Sequence, residues 1–260
     1  MKNIFKLICI IFILVSFFCH KAFTEETKKL LTTDWSFKGF SGTFDRASLQ
    51  RGYQVYAEVC ASCHSMKYLS YRNLAEKGGP EFSEDQAKAI AGNFEVTDGP
   101  DSDGEMFVRP AKLSDKLVKP YKNDQEAMAS NGGAYPPDMS VLVKARKGGA
   151  DYVYSVLLGY EELPSDLTLE DGVYYNAYMP GNKIKMPNPL FEGLVEYNDG
   201  TKATEQQMAK DVATFLAWAA EPHLEERHRI GFKAIIYLII LSILAYFSMK
   251  KLWLRIESEV

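Results

Sequence analysis

The sequence predicts an all-α domain with long loops, followed by one C-terminal transmembrane helix. Three observations carry this. Residues recur at helical spacing around position 55, Ser/Thr/Asn residues followed three positions later by Gln or Glu open helices, and no period-2 alternation is sustained.

The elements follow in chain order. Lys2 and Lys6 precede an apolar run from Leu7 to Phe18, which reads as a secretory signal peptide over residues 1–22 with Ala22 at the cut. A retained anchor is the competing reading, for which the run is short. Leu49, Tyr53, Tyr56 and Cys60 follow helical spacing and predict a helix that runs into the cysteines. Ser83 with Gln86 and Thr204 with Gln207 resemble capping boxes, starting helices that reach about Gly92 and Ala220. Asn123 with Glu126 starts another, stopped by Gly132 and Gly133. Long loops then remain from Phe94 to Asn123 and from Glu161 to Lys202. Loops of that length are uncommon unless functional, and a covalently held group gives them something to pack on.

The last apolar segment, Ala234 to Met249, has no polar face and is flanked by Lys233 and by Lys250 and Lys251. Its sixteen residues rise about 24 Å, so with Ile230 to Phe232 and snorkelling lysines it spans a ~30 Å hydrocarbon core. The anchor is therefore placed at residues 230–250, with a domain at 23–229 and a tail at 251–260. A buried core helix is the alternative. Basic residues stand on both sides of the span, so orientation comes from the exported N-terminus, which puts the large domain in the periplasm and the tail in the cytoplasm.

Cys60, Cys63 and His64 form C-x-x-C-H, the attachment signature for a c-type haem. Two thiols three apart can each add across a vinyl group while the adjacent imidazole reaches the iron, and positions i, i+3 and i+4 share one helix face. Half of a zinc site would need a second ligand pair, for which only His223 and His228 offer themselves. A thioredoxin-like dithiol would need a βαβ setting that is not visible. The other cysteines, Cys9 and Cys19, lie in the leader, so a mature exported chain has only the two thiols that haem consumes.

A sixth ligand decides between electron transfer and open-site catalysis. No other histidine lies in the body of the domain, which leaves Met66, Met106, Met128, Met139, Met179, Met186 and Met208. Met66 is too close to His64 to reach the opposite face, and Met128 and Met208 sit at helical positions suited to core packing. Met179 and Met186 lie in the proline-stiffened stretch Y-M-P-G-N-K-I-K-M-P-N-P, and spacing alone does not choose between them.

The stretches R-G-Y-Q-V-Y-A-E-V-C-A-S-C-H-S-M, D-G-E-M-F-V-R-P-A-K-L-S-D, P-P-D-M-S-V-L-V-K-A-R-K-G-G-A-D-Y-V-Y, D-G-V-Y-Y-N and A-K-D-V-A-T-F-L-A-W-A-A-E-P cover nearly the whole domain. Together they resemble the cytochrome c1 family, the haem subunit of the quinol:cytochrome c reductase (the cytochrome bc complex, complex III), of the α-proteobacterial or mitochondrial type. The resemblance implies one covalent haem c on Cys60 and Cys63, with His64 as proximal ligand and Met186 as axial ligand. It also implies Arg146 near a haem propionate. The expected role is electron transfer from a Rieske iron-sulfur protein to a cytochrome c, beside a cytochrome b subunit and in contact with membrane lipid. Such a chain is no enzyme on its own. A haem subunit of a terminal oxidase or a free membrane-anchored cytochrome is the alternative, and would lack these stretches.

The formal net charge is -4 before leader removal, and no nucleic-acid partner is expected. Glu95, Asp98, Asp101, Asp103 and Glu105 form a run without a basic residue, a patch suited to steering a basic acceptor.

Overall fold

The computed structural model describes residues 28–165 and 167–259. The expected signal peptide lies outside them. Six α-helices are present among the described residues: α1 Arg46–Glu58, α2 Glu84–Gly92, α3 Asp124–Ser130, α4 Ala150–Leu157, α5 Glu205–Ala220 and α6 Leu224–Glu259.

The cap signatures place three of them. Ser83 and Gln86 form a reciprocal capping box at α2. Thr204 accepts from Gln207 N at α5, but the Gln207 side chain turns to Asp211 instead of closing the box. Asn123 caps α3 by accepting from Glu126 N, and Gly133 N bonds back to Met128 O to end it.

The core is the crossing of α1 with α5. Leu49, Tyr53, Val55 and Tyr56 meet an α5 whose residues 211–220 are all buried. Phe215 sits 5.7 Å from Tyr53 and 5.5 Å from Trp218, ring centre to ring centre. Gly52 permits the close approach, because a Cβ there would lie 2.1 Å from the Asp211 carbonyl oxygen. Gly52→Ala is expected to cost about 1–3 kcal/mol or more by forcing the helices apart. Gly92→Ala, where a Cβ meets nothing within 4 Å, should change stability by less than about 0.5 kcal/mol. Chemical unfolding of the two variants in detergent checks the contrast.

The all-α expectation needs a correction. The first predicted loop contains an antiparallel ribbon, β1 Glu95–Asp98 with β2 Phe107–Pro110, and the second contains β3 Tyr174–Tyr175 with β4 Lys183–Ile184. Strands of four and two residues are too short to show a period-2 pattern. Helix α4 was also not predicted. It is short and rich in β-branched and aromatic residues with weak helix propensity, and forms by packing Ala150, Val153 and Val156 inward, with α5 alongside.

Helix α6 leaves the domain and runs unbroken through the expected boundaries at 230 and 250. It is long and apolar enough to cross a membrane, and residues 232–258 are all exposed, which removes the buried-helix alternative.

Candidate functional site

Helix α1 stops at Glu58, and Cys60–Ser62 form a 3₁₀ turn. The three motif residues were expected on the face of an α-helix; they lie just beyond it. The cause is local. Ser62 Oγ donates to Val59 O (2.8 Å), occupying the carbonyl that an α-helix would offer to Cys63 N. Cys63 N (3.1 Å) and His64 N (2.8 Å) both turn to the Cys60 carbonyl, so the motif still closes around a single acceptor.

Both cysteines are free thiols, Cys60 buried and Cys63 half-buried. Burial, together with the neighbouring Cys63, pushes the Cys60 thiol up to about 12. A thioredoxin-type dithiol needs a readily formed thiolate, which this environment opposes. The His64 ring is 9% exposed, and burial lowers its pKa against the opposing pull of a hydrogen bond. That bond joins Nδ1 to the Pro137 carbonyl at 2.9 Å. The carbonyl can only accept, so Nδ1 carries the proton and Nε2 keeps its lone pair, with no hydrogen-bond partner among the described residues.

The 137–140 segment that orients His64 is fastened to the motif. Met139 N donates to Ser65 O (2.8 Å), and Asp138 accepts from Ser65 Oγ (2.8 Å) and Lys67 N (2.9 Å). Tyr68 N donates to Ser140 Oγ (3.0 Å). Burial works against the Asp138 charge, yet these bonds and those from Ser140 hold its pKa below the ordinary value. Sequence reasoning missed Pro137 as a positioning group because its contribution is a backbone carbonyl 73 residues away from the ring it holds.

Met186 is half-buried against a second apolar cluster of Val156, Ala177 and Tyr178, separate from the main core that holds Cys60 and Met139. Tyr152 packs against both clusters, so they adjoin. Tyr160 OH donates to the Met186 carbonyl (3.0 Å). Fully buried Asn176 pins the same loop, donating to Val156 O (2.8 Å) and accepting from Tyr178 N and Met179 N. The Met179 sulfur accepts from Tyr152 OH at 3.3 Å, whereas the Met186 sulfur makes no hydrogen bond among the described residues. Of the other methionines, Met208 is in the core as expected. Met128 is 37% exposed on α3 and does not pack there, because that seven-residue helix buries only Ala127.

Arg146 is exposed and donates only to the Ala145 carbonyl (3.2 Å), while its neighbour Lys144 pairs with Glu221 (2.6 Å). Arg146 thus has no carboxylate partner among the described residues, and no hydrogen bond there ties it to the motif.

The acidic run is less bare than its sequence. Ribbon pairing brings Arg109 against Asp98, and the same guanidinium binds Asp115 (2.6 Å), holding the Asp115 carboxyl at about 2. Asp101 accepts from the backbone N–H of Asp103 and Glu105. Exposed charge without a basic partner therefore reduces to Glu95, Asp101, Asp103 and Glu105.

Two thiols three residues apart, an imidazole nitrogen left open by an orienting carbonyl, and a thioether against the adjoining apolar cluster are of the donor types that a covalent, six-coordinate haem uses. Among the described residues no group of three or more His, Cys, Asp or Glu side chains converges, and His228 is engaged with the Gly42 carbonyl (3.1 Å). His223 and His228 thus do not complete a zinc site with the cysteines.

Residues 35–256 match the family model described as the Cytochrome C1 family. The chain is 49% identical over 248 residues to cytochrome b/c1 of Bradyrhizobium diazoefficiens, a match covering 88% of this chain and 36% of that protein. It is 49% identical over 225 residues to cytochrome c1 2, heme protein, mitochondrial, of Arabidopsis thaliana, covering 86% of this chain and 72% of the relative. Identity to cytochrome c1, heme protein, mitochondrial, of Saccharomyces cerevisiae is 48% over 226 residues, with the same two shares. The chain spans little more than a third of the first of these relatives.

Proposed function

The chain belongs to the cytochrome c1 family, and from that premise we propose that it is the membrane-anchored, single-haem electron carrier of a quinol:cytochrome c reductase. It takes electrons from a Rieske iron-sulfur protein and passes them to a cytochrome c, alongside a cytochrome b subunit. The chain is an electron-transfer subunit rather than an enzyme by itself.

The observation that carries the reading is His64, held by Pro137 in the tautomer that presents Nε2 and flanked by two free thiols. A haem in this place supplies a one-electron ferric/ferrous couple. Cys60 and Cys63 would hold it as thioethers, and His64 Nε2 and the Met186 sulfur would serve as its ligands. Arg146 would offer a guanidinium to a propionate. The Pro137 carbonyl keeps the imidazole from turning, and Tyr160 and Asn176 keep the Met186 loop in place, so little needs to rearrange when charge changes. Ligation by both His64 and Met186 would leave no open position on the iron and would suit electron transfer rather than peroxidase-type chemistry.

Residues 1–22 serve as an export leader, 23–229 as a periplasmic haem domain, 230–250 as the single span in the inner membrane and 251–260 as a cytoplasmic tail. Purification from its own membrane in mild detergent tests the whole reading. The expected result is haem staining that stays with the denatured polypeptide, together with a co-purifying cytochrome b and Rieske protein. An unstained polypeptide would remove the haem assignment. Stained polypeptide accompanied by oxidase subunits, or by none, would remove the reductase assignment.

The exposed carboxylates of the β1–β2 ribbon act in docking a basic acceptor. Exposed charge acts mainly on encounter and is screened over about 8 Å at physiological salt. Changing Asp103 and Glu105 to Asn and Gln is expected to slow transfer at low salt and to matter little at high salt. Asp98 is unsuitable for this test because its loss also removes one of the two ion pairs of Arg109, leaving only that with Asp115. Stopped-flow rates that match the parent at low ionic strength would move the docking surface elsewhere.

A further inference from the structure

Phe40 stands 67% exposed at the tip of a turn that the chain holds in shape. Lys38 N donates to Trp35 O (3.1 Å) and Thr43 N to Ser36 O (3.0 Å), with Gly39 at φ +92°. A Cβ at Gly42 would lie 2.4 Å from the Phe37 carbonyl, so the turn closes only with glycine there.

The turn is clamped to the start of α6. His228 Nδ1 donates to Gly42 O (3.1 Å), Glu225 accepts from Phe44 N (2.7 Å), and Arg46 pairs with Glu225 (2.7 Å). These clamps bring the Phe40 ring beside Phe232, with centroids 6.4 Å apart and planes at 70°. Phe232 is itself 53% exposed and stands where the apolar stretch of α6 begins. From Ile230 to Met249 the helix rises about 30 Å, the thickness of a hydrocarbon core. Arg229 and Lys233 flank this end, and exposed Trp253 stands beside Lys250 and Lys251 at the other. Aromatic and basic residues in these places mark the two water–lipid boundaries of a span.

We propose that the 36–43 turn is a second membrane contact, in which Phe40 enters the headgroup–acyl boundary of the phospholipid bilayer beside Phe232. Two attachment points on one rigid clamp fix the height and tilt of the domain above the lipid, which a single helix leaves free. The proposal rests on α6 being a membrane span, and the test separates the two.

The photoreactive analogue p-benzoylphenylalanine is placed at position 40, 243 or 68 of the full haem-loaded chain, reconstituted alone in phosphatidylcholine vesicles. Position 243 is inside the apolar stretch; Tyr68 is 68% exposed on the haem domain. After irradiation, mass spectrometry of the labelled peptide reads the lipid adduct. The expected yield at 40 is within about threefold of that at 243, with none at 68, because only boundary and core positions touch lipid. An adduct at 243 but none at 40, or a cross-link from 40 only to a second copy of the chain, would overturn the contact while leaving the span intact. No adduct at 243 would remove the span and this proposal with it.

Discussion

Met186→Leu is expected to lower the reduction potential on the order of 0.1–0.3 V, within the ~0.8 V range over which axial ligands set haem potentials. It should also abolish the far-red sulfur-to-ferric-iron absorption. A thioether favours the ferrous state, and leucine of similar volume leaves the loop packed without offering a donor. Met179→Leu should leave potential and band nearly intact, because the Met179 sulfur is already the acceptor for Tyr152 OH, whereas the Met186 sulfur makes no hydrogen bond among the described residues. The loop does not depend on the Met186 thioether, being held by Asn176 and by the Tyr160 bond to the Met186 backbone. Potentiometric titration and the oxidised far-red spectrum decide between them. Loss of the band in Met179→Leu alone would reassign the ligand.

Asp211→Ala should be the most destabilising single change in the α1–α5 core. The Asp211 side chain is fully buried, accepting from Ser48 Oγ (2.6 Å), Arg51 Nε (2.8 Å) and Gln207 Nε2 (2.9 Å). Its removal takes the acceptor from four donor atoms on three side chains, one of them Arg51, which is only 15% exposed and keeps just its ion pair with Asp199. Breaking a buried pair from one side costs about 3–5 kcal/mol. Asp199→Ala removes the other partner of Arg51, but at a carboxylate 43% exposed to water, so a loss of at most about 1 kcal/mol is expected. Denaturant unfolding in detergent, followed by far-UV circular dichroism, reads both. Haem staining of the denatured chain should be unchanged in each, because attachment chemistry does not pass through this pair. Equal midpoints for the two variants would show that the Asp211 network contributes no more than a surface contact.

The elements legible in the sequence were those whose signal is carried by near neighbours. Ser83 and Gln86 meet across three residues, and the α1 stripe of Leu49, Tyr53 and Tyr56 repeats within a turn. Helix α4 and the two ribbons escaped notice because eight, four and two residues hold too little periodicity, and their stability comes from what they pack against. The all-α expectation failed only inside the loops. The helical placement of the cysteines failed by one turn, where the hydroxyl of Ser62 takes the Val59 carbonyl.

The candidate site divides in the same way. Sequence alone determined the C-x-x-C-H chemistry and the apolar span, since covalent spacing and hydropathy are properties of contiguous residues. Only the tertiary structure decided that the Pro137 carbonyl sets the His64 tautomer, that Tyr152 engages the Met179 sulfur, and that Arg109 neutralises Asp98. Tautomer and field depend on distances of a few ångströms between groups far apart in the chain, and those distances exist only after the α1–α5 core has closed and the loops have been tied to it.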